Sequence, residues 1–164
     1  MKACRVVADS SCLIGLAQIK QFDLLRELFS RVYVPDGVYD EVVIIGAGET
    51  GANETKSAVR NGWMIKKSVK EIAAVDALRT ILGRGESEVI ICYKELKLDY
   101  ALIDERTARD MAELMKVKTM GVLGVINLAI TKGFVIDKKK IINQLINMGF
   151  RISDKLYKKF IDSD

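Results

Sequence analysis

Two stretches of this chain share one grammar. In RVVAD-SS (5–11) and YALID-ER (100–106) a short apolar run enters an aspartate and then a polar, helix-starting segment. Runs of this kind read as buried strands of a parallel sheet. In such sheets ligands bind beyond the carboxyl ends of the strands, where the strand order reverses. Asp9 and Asp104 project there, and if the two strands are neighbours the two carboxylates meet at one edge. Like charges that close repel and raise each other's pKa, and a divalent cation relieves the repulsion. Each aspartate taken alone also reads as a helix N-cap; the matched pair favours a metal. Two further acids sit in turn-to-helix contexts. Glu41 lies in VPDGVYDEVV, on a largely apolar segment, and Glu86 in GRGESEVIICYKEL, between glycines and an apolar helix. Glu86 also suits a helix start through the helix dipole. Glu88 is a nearby competitor, read as facing solvent.

Composition narrows the chemistry. The 164 residues include no histidine, which removes Ser-His-Asp and Cys-His catalysis and histidine-ligated zinc. Carboxylates, hydroxyls, Lys and Arg remain, together with a hard, oxygen-preferring ion such as Mg²⁺ or Mn²⁺. Cysteine appears three times, at wide spacing and without a C-x-x-C. Cys12 and Cys92 sit in apolar runs and read as core residues in a reducing cytoplasm. The net charge of +4 is compatible with a polyanionic partner. The longest apolar stretch, MGVLGVINLAI (120–130), is too short to span a bilayer. The first residues lack the pattern of a signal peptide. The expectation is a cytoplasmic protein with no membrane partner.

Positioning these acids requires alternating elements. CRVVA (4–8), RVYVP (31–35), WMIKKSV (63–69) and YALI (100–103) read as strands. SSCLIGLAQI (10–19) reads as a helix capped by Ser10, and FDLLRELF (22–29) as a second. DGVYDEVVII follows the only proline, Pro35. It reads as a helix with Val38, Val42 and Ile45 on one face. ANETKSAVRNG reads as a helix ending near Gly62, and residues 71–81 as another. ILGRGESE reads as a glycine turn that opens the apolar helix SEVIICYKEL. ERTARDMAELM places Ala108, Met111, Ala112 and Met115 on one face. MGVLGVINLAI reads as a buried helix, and the tail as two basic amphipathic helices joined around Gly149. Strands separated by helices predict an α/β fold with a central parallel sheet covered on both faces. The length fits a single domain over 1–164, with residues from about 134 onward as a helical extension packed on it.

The order V-V-A-D-S-S … V-P-x-x-V-Y-D-E-V … L-G-R-G-E-S-E … A-L-I-D-E-R-T-A-R resembles a PIN domain, in particular the small prokaryotic branch, from Val6 to about Ser153. The resemblance implies a three-layer α/β/α nuclease, usually a ribonuclease. It implies Mg²⁺ or Mn²⁺ held by acids at one end of a parallel sheet. Matched position by position, the acids are Asp9, Glu41, Glu86 and Asp104, with Asp9, Glu86 and Asp104 as metal ligands. Glu86 stands where the family often has aspartate, which adds one methylene of reach. Glu105 and Asp110 are auxiliary acids, and Ser10 or Ser11 touches metal-bound water or a phosphate oxygen. Arg84, Arg106 and Arg109 would grip an RNA backbone. A homodimer and a toxin–antitoxin role, with an antitoxin protein as partner, are further implications. A non-catalytic PIN-fold scaffold that binds RNA or protein is the alternative.

A second alternative comes from VVIIGAGETGAN (42–53), where an apolar run precedes G-x-G-x-x-G. The dinucleotide fingerprint needs a strand before the glycines and an acid ending the next strand. Here the preceding segment keeps helical spacing, and the next strand ends in lysines. Gly46, Gly48 and Gly51 therefore read as a loop after the helix that bears Glu41.

Overall fold

The computed structural model describes residues 3–134 and 137–162. The chain divides into two compact units, Met1–Val122 and Leu123–Asp164. The first begins with β1 (Arg5–Ala8), α1 (Ser10–Gln18), α2 (Leu24–Leu28), β2 (Arg31–Pro35) and α3 (Asp36–Tyr39), which runs on as a π-helical segment (Asp40–Ile45). It continues with α4 (Ala52–Arg60), β3 (Met64–Lys67), α5 (Ile72–Leu78), α6 (Arg84–Leu96), β4 (Tyr100–Leu102), α7 (Arg106–Leu114) and β5 (Thr119–Met120). Helix α8 (Val122–Thr131) crosses the boundary, and α9 (Lys138–Asn147) and α10 (Asp154–Asp162) follow it in the second unit.

All five strands pair in parallel, in the order β3-β2-β1-β4-β5. Helices flank the sheet, as the three-layer α/β/α expectation requires. The chain moves outward from β1 through β2 to β3, then returns to place β4 on the other side of β1. The order therefore reverses between β1 and β4. Ala8 pairs with Leu102 across that junction, and the Asp9 N–H donates to the Leu102 carbonyl at 3.0 Å. Val6, Val7 and Ala8 are fully buried, as are Leu13, Leu16, Ile90 and Leu102. This is the expected pattern for a central strand covered on both faces. Cys12 and Cys92 belong to the same core, and burial raises both thiols, Cys92 to about 12.

The structure corrects the sequence reading at several places. Asp9, not Ser10, caps α1; its side chain accepts from the Ser10 N–H, and Ser10 is already helical. Helix α6 begins at Arg84, so Gly85 lies inside the helix rather than in the turn before it. A two-residue strand, β5, precedes α8. The segment after α3 is wound as a π-helix, which takes more residues per turn than an α-helix. The phase drifts, so Val38 and Val42 are buried while Ile45 is 81% exposed. Glu88 does not face solvent but is buried. The glycines of GAGETG follow this helical segment rather than a strand, and Gly48 and Gly51 hold φ of +85° and +98°. They make a connecting loop, and the strand–glycine–helix context of a dinucleotide site is not present there. Among the described residues no helix is long and apolar enough to cross a membrane.

Candidate active site

A cavity of about 440 Å³ opens where β1 hands over to α1. Asp9, Glu41, Glu86 and Glu105 line it, with Ser10 and Ser11 beside Asp9. Four separate elements deliver these acids. Asp9 ends β1 and caps α1, with Oδ1 2.8 Å from the Ser10 N–H and Oδ2 3.4 Å from the Ser11 hydroxyl. Glu41 lies on the π-helical segment. Glu86 is in the first turn of α6, where Oε1 accepts the Gly83 N–H at 3.0 Å and closes a capping box. Glu105 caps α7, accepting from Thr107 N–H at 3.0 Å and Ala108 N–H at 2.7 Å. Gly85 lets two of these elements approach. A Cβ there would lie 3.3 Å from Glu41 Oε2 and 3.2 Å from Val38 Cγ2.

The cavity is electrostatically unbalanced. Burial pushes the Asp9 carboxyl up to about 7, and the charges of Glu86 and Glu41 add to the shift against the opposing Ser10 N–H. Glu86 is also raised, first by burial and then by a hydrogen bond and charge from Glu105. Glu105 moves the other way, because the Ala108 and Thr107 N–H groups favour its ionised form. The ion pairs formed among the described residues are Lys66–Asp36, Arg84–Asp40 and Arg84–Glu88, and none reaches Asp9, Glu41 or Glu86.

The donors lining the cavity are oxygens, and they fit a hard divalent cation by chemistry and by charge. Among the described residues no three acidic or cysteine side chains are gathered tightly enough to hold an ion by themselves.

Asp104 arrives at the same end of the sheet, on the strand beside Asp9, but it is not among the cavity-lining residues. Both of its oxygens face the Val122 N–H, at 3.0 and 3.2 Å. Burial raises its pKa, opposed by that N–H and by the charge of Arg109. Burial raises the Cys12 thiol, and the charges of Asp104 and Asp9 add to that shift. A cap and a charge can be separated by substitution. Asp104→Asn keeps an acceptor for Val122 and melts within about 0.5 kcal/mol of the wild type, whereas Asp104→Ala loses about 1 kcal/mol on the usual scale for N-caps. Urea unfolding of the two variants measures the difference.

Of the arginines, Arg84 lines the cavity but is engaged on its far side, with Nε 2.9 Å from Glu88 Oε2 and Nη1 3.0 Å from Asp40 Oδ2. Arg106 and Arg109 are exposed on α7. Asp110 is exposed on the same helix and does not line the cavity. Glu88 and Gly37 had no signal in the sequence that marked them as partners.

An open parallel sheet covered by helices, with acids gathered beside its reversal point, defines a three-layer α/β/α fold with its candidate site at the carboxyl ends of the strands. A sequence model of the PIN domain matches residues 5–163, and the chain belongs to that family. PIN domains are typically nucleases, and they generally use divalent metals. No curated protein matches the chain.

Proposed function

We propose that this protein is a metal-dependent ribonuclease that hydrolyses phosphodiester bonds in the cavity beside Asp9. The observation that carries the reading is the buried Asp9 carboxyl, held near Glu41 and Glu86 with no ion pair to any of the three among the described residues. A bound Mg²⁺ or Mn²⁺ supplies Lewis-acid activation of water and neutralises charge on the scissile phosphate. Asp9 and Glu86 would hold the ion, with the charge of Asp104 at the flank. Glu41 orients the attacking water, and Glu105 tunes Glu86 by sharing its proton. The Ser10 and Ser11 hydroxyls are placed to donate to a phosphate oxygen. Arg106 and Arg109, with the remaining Nη2 of Arg84, hold the backbone of the substrate. Phosphate contacts of this kind position a strand without reading its bases. A homodimer is part of the proposal, and so is service as the toxin of a toxin–antitoxin pair in the cytoplasm.

The test is incubation of labelled structured and single-stranded RNAs with Mn²⁺, Mg²⁺ or EDTA. Cutting appears with either metal and stops in EDTA. Asp104→Asn, with its fold intact, cuts at least ~10²-fold more slowly, as expected when a charge beside a metal site is removed. Equal cutting by the wild type and the variant marks a contaminant and removes the assignment. RNA binding without any cutting reads instead as a scaffold.

A further inference from the structure

Helix α6 carries a second buried acid, Glu88, two residues beyond Glu86. It reaches α3. Its Oε1 accepts the Gly37 N–H at 3.2 Å, and its Oε2 accepts Arg84 Nε at 2.9 Å. Arg84 then reaches Asp40 with Nη1 at 3.0 Å. The element that bears Glu41 is thereby tied to α6 twice, at Gly37 one turn before Glu41 and at Asp40 immediately before it. Gly37 must lack a side chain for this to happen, because a Cβ there would collide with Glu88 Oε2. Gly85, on the opposing helix, leaves room at the same approach, since a Cβ there would sit 3.2 Å from Val38 Cγ2 and 3.3 Å from Glu41 Oε2. A buried carboxylate is tolerated when it is paired and hydrogen-bonded. This one is spent on holding two helices at a fixed approach, and those helices carry Glu41 and Glu86.

We infer that Glu88 is a positioning residue, whose bonds to Gly37 and Arg84 fix the separation of Glu41 from Glu86 and so set the affinity of the cavity for a divalent cation. The inference rests on the nuclease reading above. It also makes a prediction that does not pass through cutting. Supporting partners of this sort change metal affinity or activity by ~10–100-fold when removed. A residue that merely held the fold would change stability and leave the metal dependence of the folded fraction where it was.

The test uses the full chain with Glu88→Ala, Glu88→Gln and Asp40→Ala. Mn²⁺ is titrated by thermal shift and by RNA cutting, and amide exchange is followed at Gly37. Glu88→Gln keeps an acceptor for Gly37 and loses the charge and the acceptor that faced Arg84. The half-saturating Mn²⁺ concentration rises ~10-fold or more in Glu88→Ala and by a smaller factor in Glu88→Gln and Asp40→Ala. kcat falls in the same order, while KM for RNA stays within about threefold, as expected when substrate binding is untouched. Gly37 exchanges faster in Glu88→Ala than in Glu88→Gln. If Glu88→Ala does not fold, the same comparison is made with Glu88→Gln and Asp40→Ala. Unchanged Mn²⁺ dependence in the folded variants overturns the inference. A wild type that neither responds to Mn²⁺ nor cuts overturns the nuclease reading instead.

Discussion

Asp9→Asn melts above the wild type in EDTA at pH 8, and it cuts no RNA. The two halves of this result have one cause. Asp9 is buried and its pKa is raised from 3.8 to about 7. Between those values the folded protein keeps a proton that the unfolded chain has released. Stability is then fully present below the unfolded pKa and is lost as pH rises through about 7. The difference of roughly three units corresponds to at most about 4 kcal/mol at 1.36 kcal/mol per unit. Asn cannot ionise, yet its carbonyl still accepts the Ser10 N–H, so the cap of α1 survives. For a chain of this size a gain of that order raises Tm by up to about 10 °C. Added Mn²⁺ narrows the gap from the wild-type side. At one hundred times its Kd it stabilises the wild type by about 2.7 kcal/mol and does little for the variant. Melting curves from pH 4 to 8, with EDTA and with Mn²⁺, measure both effects. Flat and identical pH profiles for the two proteins would remove the buried-carboxylate argument. Cutting falls at least ~10³-fold, since several kcal/mol of charge stabilisation go with the ion.

Gly85→Ala separates stability from activity in the opposite direction from an ordinary core mutation. In a helix, Ala is favoured over Gly by about 1 kcal/mol. Here the new methyl lies 3.2 Å from Val38 Cγ2 and 3.3 Å from Glu41 Oε2, so its neighbours must give by a few tenths of an ångström. Stability changes by less than about 1 kcal/mol, because the helix gain offsets the crowding. Cutting falls by ~10²-fold, since small displacements of a positioning group are costly to catalysis. Urea unfolding and RNA cleavage on the same preparation test this. Loss of activity that merely tracks loss of fold contradicts it.

The strands of the sheet were legible because each is a short β-branched or apolar run, RVVA and RVYVP most plainly. Their parallel direction followed from the helices between them, whereas the adjacency of β1 and β4, which brings Asp9 and Asp104 to one end of the sheet, was only a condition of the sequence reading. β5 was not legible, since Thr119 and Met120 make no run at all. The winding after Tyr39 was not legible either. Nothing in DEVVII distinguishes a π-helix from an α-helix, and the exposure of Ile45 depends on which forms. Glu86 and Glu88 are two residues apart on one helix, and composition does not say which faces the cavity and which is buried against α3. Periodicity was equally silent on Asp104, whose carboxylate turns to the first turn of α8 rather than into the cavity. Side-chain direction is decided by tertiary packing, and one sequence carries little of it.

The two outer strands bear on how safely this molecule is made. An exposed strand edge offers unpaired backbone groups to any other chain and is a route to aggregation. At one rim β5 is two residues long, too short to template a growing ladder. At the other, β3 carries Lys66 and Lys67, and Lys66 is tied to Asp36 at 3.1 Å. Charges on a rim strand discourage stacking against a second sheet. Neither margin invites a stranger to extend the sheet.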